Sequence, residues 1–161
     1  MIREIAKTDI PECVAVIRGS FKTVADEFGF TSENAPRFAA FATTEERLLR
    51  QFDDPQRIML AYYTDDGVIA GYYSLHLLES NGCEINNVSV LPEFRHQGIG
   101  SALLEDALER AKALGLTCVN LGIVEENRRL RAWYEAHGFI HTGTRKFDWA
   151  PFTSGFMTRE L

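Results

Sequence analysis

Val88-Ser89-Val90-Leu91-Pro92-Glu93-Phe94-Arg95-His96-Gln97-Gly98-Ile99-Gly100-Ser101 reads as a strand, a short loop and the first turn of a helix. Gly98 and Gly100 bring no side chains to the point where that helix begins, so backbone N–H groups can close directly on an anion. The first amides of a helix have no intrahelical partner and lie at the positive end of its dipole, which makes the segment a phosphate site. Arg95 and His96 could add charge to it. Three phosphate-binding patterns compete. The dinucleotide fingerprint needs a third glycine three residues after Gly100, where Leu103 stands. A Walker A loop needs a lysine before its Ser or Thr, and none stands here. Arg-x-x-Gly-x-Gly remains, and by itself that is also what a plain turn before a helix looks like.

Outward from this segment the periodicities fall into an order. Ile99 to Leu114 keeps Leu103, Leu104, Ala107, Leu108, Ala111 and Leu114 on one side, with charges opposite and Gly115 as a stop. Upstream, Ile58–Tyr63 and Val68–Leu77 are β-branched and aromatic runs separated by Thr64-Asp65-Asp66-Gly67, a hairpin signal. In the next strand, Glu84 to Leu91, Ile85 keeps one phase and Val88 and Val90 the other. A slip of one residue is what a β-bulge around Asn86 and Asn87 produces. Residues 2–7 read as a first strand, and Asp9 with Glu12 forms a capping-box pattern ahead of the helical spacing Ile10, Cys13, Val14, Ile17 and Phe21. From Ser20 to Asp54 the pattern loosens and holds six of the eleven phenylalanines, with a short helix suggested from Thr44 to Leu49. Thr117–Val124 alternates as a strand, Arg128–His137 as a helix ended by Gly138, and Phe139–Asp148 and Gly155–Leu161 as closing strands. This is one α/β domain over residues 1–161, a mixed sheet flanked by helices.

The 161 residues are 45% hydrophobic and 25% charged, with net charge −6. That balance disfavours disorder and general nucleic-acid binding, which rests on clustered Lys and Arg. No apolar run approaches the ~20 residues of a membrane span and the start lacks the apolar core of a signal peptide, so the expectation is a cytoplasmic protein with no membrane partner. Cys13, Cys83 and Cys118 are odd in number and far apart, and the four histidines lack ligand spacing. We read the thiols as small buried hydrophobes and expect no metal.

Context adds to the loop. The preceding Val-x-Val-x-Pro-Glu, the following Ile-Gly-Ser-Ala-Leu-Leu and the segment Glu126-Asn127-Arg128-Arg129-Leu130-Arg131-Ala132-Trp133-Tyr134-Glu135-Ala136-His137-Gly138-Phe139 resemble the GNAT superfamily of N-acetyltransferases. The resemblance covers about residues 58–147, and the ends by strand order only. It implies a mostly antiparallel sheet of about seven strands, splayed between the fourth and fifth, and acetyl-CoA as acyl donor. It also implies backbone contacts from Val88, Ser89 and Val90 to the pantetheine arm and acetyl carbonyl, a pyrophosphate cradle from Gln97, Gly98, Ile99, Gly100 and Ser101, and an Asn127 hydrogen bond to the arm. Asn127 also reads as a helix N-cap, and the two roles are compatible.

Tyr134, seven residues after Asn127, stands where the family keeps its general acid, although helical spacing alone would make it a core aromatic. Family members often deprotonate the amine with a strand carboxylate, directly or through water. Glu84 is the best-placed candidate, against an ordinary exposed strand-end charge; Glu79, Glu125 and Asp148 are weaker ones. The implied reaction moves an acetyl group to a primary amine of a small molecule or peptide, and a homodimer is compatible with it. The alternative is a catalytically silent acyl-CoA sensor, which would have no use for Tyr134. The acidic composition is consistent with a basic amine, a polyamine or a protein N-terminus as acceptor, and the Phe-rich stretch Phe21–Phe52 is expected to form the acceptor wall.

Overall fold

Local signals place the strands and helices where the sequence suggests, and long-range ties decide their ends. The computed structural model describes residues 1–161. In chain order they are β1 (Ile2–Glu4), α1 (Ile10–Phe28), α2 (Ala39–Ala42), α3 (Glu45–Phe52), β2 (Arg57–Tyr63), β3 (Ile69–Leu77), β4 (Cys83–Val90), α4 (Ile99–Ala113), β5 (Cys118–Val124), α5 (Arg128–Ala136), β6 (Ile140–Lys146) and β7 (Thr153–Glu160). Seven strands form one sheet in the order β1-β2-β3-β4-β5-β7-β6. All neighbours are antiparallel except β4 and β5.

The Asp-Gly turn does join β2 to β3, with Gly67 at φ +81. The first-strand expectation shortens to three residues, and α1 runs eight residues past Ser20 to Phe28, where Gly29 caps it in the left-handed region at φ +74. The capping-box pattern is not used as a box: no side chain caps α1. Instead Asp9 accepts from the Ala6 amide at 2.9 Å and the Tyr63 hydroxyl at 2.7 Å, and Glu12 accepts from the Ile69 amide at 2.7 Å. These acids fasten the start of α1 to the β2–β3 hairpin.

Alternation along the strands gives the sheet two buried faces. On one, Leu60, Tyr73, Leu75 and Ile85 pack with Leu103, Leu104 and Ala107 of α4 and with Tyr134 of α5. On the other, Met59, Ala61, Ile69 and Tyr72 pack with Ile10, Cys13 and Ile17 of α1 and Leu48 of α3. A third cluster joins the end of α1 to the loop between β6 and β7 through Phe30, Phe38 and Phe152, whose rings lie 5.0 to 5.9 Å apart. Most of the Phe-rich stretch is therefore a packed cluster. Phe28 and Phe30 do not reach the cleft described below, whereas Phe21 and Phe38 do.

Two irregularities position the site. In the β3–β4 ladder Tyr72 faces Ser89 but Ser74 faces Asn86, so β4 carries one extra residue, and Asn87 there has φ +55. This is the expected bulge; Asn tolerates the left-handed region better than most residues. The parallel pairing of β4 with β5 stops after Cys83↔Val119 and Glu84↔Asn120. Because β5 stays fully paired with β7, it leaves β4 with that partner, and the facing edges of β4 and β5 open into a cleft.

Candidate active site

At the mouth of this cleft the loop after β4 turns into α4. His96 and Gly98 both adopt left-handed backbone, at φ +62 and +80. Gly98 is the N-cap residue, so it supplies no side chain to cap the amides of Ile99, Gly100 and Ser101. The first backbone bond back to this turn comes from Ala102, whose amide donates to the Gly98 carbonyl at 3.0 Å. Three amides at the positive end of a fifteen-residue helix thus remain available to an anion. A Cβ on Gly100 would stand 3.5 Å from the Trp133 ring; glycine here keeps the floor of the cleft low. His96, Gly98, Ile99, Gly100 and Ser101 line the cleft and Gln97 does not.

Arg95 lines the cleft but spends its guanidinium elsewhere. Nε donates to the Val90 carbonyl at 3.2 Å, Nη1 to Thr23 Oγ1 at 3.0 Å, and Nη2 to the Ser20 carbonyl at 3.1 Å and hydroxyl at 3.3 Å. Burial holds its pKa below the ordinary arginine value. The side chain straps the phosphate-type loop to α1, and the residue type gave no sign of that distant partner.

The cleft has a volume of about 830 Å³, within the range of small-molecule sites. Val88 and Val90 of β4 face Leu121 and Ile123 of β5 across it, and Trp133 and Tyr134 of α5 close one side. Val90 lines the cleft, but its backbone is largely committed, since its amide donates to Ser20 Oγ at 3.3 Å while its carbonyl accepts from Arg95. Ser89 is buried, and its hydroxyl donates to the Asn87 carbonyl at 2.8 Å, bracing the bulge. Asn127 caps α5 by accepting from the Leu130 amide at 3.3 Å. That bond uses only its oxygen, which leaves the amide nitrogen to donate into the cleft.

Tyr134 is 6% exposed, with its ring edge-on to Trp133 at 5.0 Å and Phe139 at 5.6 Å. Burial pushes its phenol well above the ordinary tyrosine range, so it stays protonated at working pH, and no protein group binds its hydroxyl. Glu84 is not brought to this wall. Ile85 faces the cleft, so its strand neighbour Glu84 faces the other side of the sheet, where it accepts from Asn86 at 2.7 Å; Asn86 in turn accepts from Arg57 at 3.0 Å. The one carboxylate among the residues lining the cleft is Glu27, paired with Arg129.

At the end away from α4, the cleft meets Phe38, Asn87, Trp149 and Phe152. Sequence reading did not single out Trp149 and Phe152 as site residues, although the loop Trp149-Ala150-Pro151-Phe152, two aromatics around a proline, was a visible signal. No group of three or more His, Cys, Asp or Glu side chains lies together in a metal-holding arrangement, and no helix is long and apolar enough to cross a membrane.

Comparison with known proteins agrees with this architecture. The chain is similar to an N-acetyltransferase of Lactobacillus delbrueckii subsp. lactis, 28% identical over 157 residues covering 91% of this chain and 87% of the relative. It is also similar to the mycothiol acetyltransferase of Beutenbergia cavernae, 31% identical over 125 residues, 73% of this chain and 42% of that protein. Among solved structures, the ribosomal-protein-S18-alanine N-acetyltransferase of Escherichia coli superposes with a TM-score of 0.79 at 17% identity, covering all of this chain and 93% of that one. The PaiA N-acetyltransferase of Thermoplasma acidophilum, in complex with coenzyme A, superposes with a TM-score of 0.74 at 19% identity, covering 100% and 98%. At those identities the likeness is one of fold. Residues 26–139 match the family model for the acetyltransferase (GNAT) family. The chain belongs to that family and is an acyl-CoA-dependent acetyltransferase.

Proposed function

We propose that the protein transfers an acetyl group from acetyl-CoA to a primary amine by direct attack within a ternary complex. The observation that carries this reading is the splayed β4–β5 pair, which has three uncapped helix-start amides at one end and a protonated, unpartnered phenol inside. The amides of Ile99, Gly100 and Ser101 would hold the pyrophosphate, with Gly98 keeping the approach clear. The unpaired edge of β4 beyond Glu84 would pair with the pantetheine arm as a missing strand would. With Val90 committed to α1, that edge is the bulge at Asn87 and Val88, and the Asn127 amide nitrogen would donate from across the cleft. The donor supplies an activated thioester; the chain supplies orientation, exclusion of water and a proton.

That proton comes from the Tyr134 hydroxyl, which would pass it to the departing thiolate. Burial raises the Cys13 thiol to about 12 and the Cys83 thiol to about 11, which keeps both protonated and supports a route without a cysteine nucleophile. Since Glu84 faces away from the cleft, the proton lost by the incoming ammonium would leave to water.

The test is a thiol-release assay with acetyl-CoA against a panel of primary amines, beside calorimetric titration of the coenzyme. Turnover on any amine, with saturation in both substrates, is the expected result. Coenzyme binding with no release on any amine would sink the reading in favour of a silent acyl-CoA sensor.

A further inference from the structure

Beside the acceptor end of the cleft lies a second cavity of about 190 Å³ between α2, α3 and the loop before β7. It shares Phe38, Asn87, Trp149 and Phe152 with the cleft, so a molecule seated in it reaches the bulge where the acetyl group would lie. Arg37 and Arg47, both exposed to solvent, stand among its lining residues, and no Asp or Glu does. Neither makes an ion pair or donates a side-chain hydrogen bond to the protein. Arg37 is instead held by a π face, with its Cζ 5.3 Å from the centre of the Trp149 ring, which orients the planar group and leaves its N–H edge free. A third lining residue, Gln51, carries a buried side-chain oxygen with no protein partner.

We propose that the acceptor is a small amino carboxylate with an apolar or aromatic body. Its carboxylate pairs with Arg37 and Arg47, its body lies on Phe38, Trp149 and Phe152, and its amine points past Asn87 toward the cleft. This rests on the acetyl-transfer reading above and names the substrate class of that same site. Paired guanidiniums suit a carboxylate because the fork geometry of arginine matches its two oxygens. The same charges repel a second ammonium, which counts against polyamines, and they favour the neutral, nucleophilic form of the one amine present.

Three acceptors that differ at one position test it: phenylalanine, phenylalaninamide and phenethylamine, assayed with the full chain and acetyl-CoA. The expected kcat/KM for phenylalanine exceeds that of the other two by about ten- to a hundredfold, the scale of a hydrogen bond to a charge. The double variant R37Q/R47Q should erase that ratio by raising the phenylalanine KM, with the acetyl-CoA KM unchanged. An amide or simple amine used as well as the acid, or a double variant that slows all three alike, would overturn the assignment. If no amine is turned over, the transfer reading is what has failed. The site is then read separately by titrating N-acetylphenylalanine and N-acetylphenylalaninamide into coenzyme A-saturated protein: tighter binding of the acid supports the assignment, and equal or absent binding overturns it.

Discussion

Replacing Tyr134 by phenylalanine removes one hydroxyl and little else. The ring packs edge-on against Trp133 and Phe139, contacts that phenylalanine keeps, and no protein group loses a hydrogen bond. Stability should therefore move by no more than about 0.5 kcal/mol, a melting shift of roughly 2 °C in a domain of this size. The chemical loss is larger. A coenzyme thiol is a fair leaving group even as thiolate, so proton donation assists rather than enables, and kcat should fall by about 10- to 10³-fold, or ~1.4 to 4 kcal/mol in the barrier. Acetyl-CoA affinity should hardly change, because the hydroxyl acts only as the bond to sulfur breaks. Steady-state thiol release gives kcat and both KM values, calorimetry gives coenzyme affinity, and a thermal melt controls for folding. A loss confined to coenzyme affinity would make Tyr134 a binding residue, and an unchanged kcat would make it a core aromatic.

Gly98 sits at φ +80 with nothing within 4 Å of where a Cβ would be, so a side chain there meets the ligand rather than the protein; Gly98→Asp should weaken acetyl-CoA at least about tenfold more than Gly98→Asn, which tolerates the same backbone without the charge, and equal affinities by calorimetry would remove the pyrophosphate from this turn. Arg95→Lys keeps the charge but loses the fork that reaches Val90, Ser20 and Thr23, so the melting temperature should drop by several degrees, about 2 kcal/mol of stability; an unchanged melt with weaker, more salt-sensitive coenzyme binding would instead make Arg95 a direct phosphate ligand. Glu84→Gln should leave the neutral-pH rate within about tenfold, and a loss of ~10²-fold or more would give Glu84 the proton after all. Stability should fall in alkali: burial raises the folded-state pKa of Cys13 to about 12 and of Cys83 to about 11, so the folded form holds protons that an unfolded thiol releases near ~8.5, and stability that is full below that pH is lost as pH rises toward 11 or 12. A melting temperature flat to pH 11 would contradict that sign.

The parts of the site that could be read in the sequence are those with local causes. A change of phase between Ile85 and Val88 is itself the bulge, and glycines at the start of an apolar helical stripe are themselves the uncapped turn. What could not be read depended on distant partners. The apolar pattern loosens from Ser20 onward although α1 continues to Phe28, and the loosened turn is where the helix serves the site. A Cβ on Gly19 would come within 3.1 Å of Leu91, Ser20 takes the Val90 amide, and Thr23 takes Arg95. Asp9 and Glu12 fit a capping box by spacing, but strands over fifty residues away claim both carboxylates. The same holds for Arg95, whose residue type suggested phosphate until α1 supplied its partners.

Charge shows the sharpest difference between whole-chain and local reading. Twenty-three acids against seventeen Lys and Arg suggest a cationic partner, but those acids are not where the acceptor would sit. Only Glu27 lines the cleft, already paired with Arg129, and none lines the adjoining cavity, which holds two arginines. Net charge acts at long range on solubility and encounter, and salt screens it within about 10 Å. Selection of a bound molecule depends on the groups within contact. With Glu27 already paired to Arg129, neither wall offers a free carboxylate, and the adjoining cavity carries two arginines instead. Positive charge beside the acceptor would pull a carboxylate in and push a neighbouring ammonium toward the neutral amine, so the nucleophile could form by losing its proton to water.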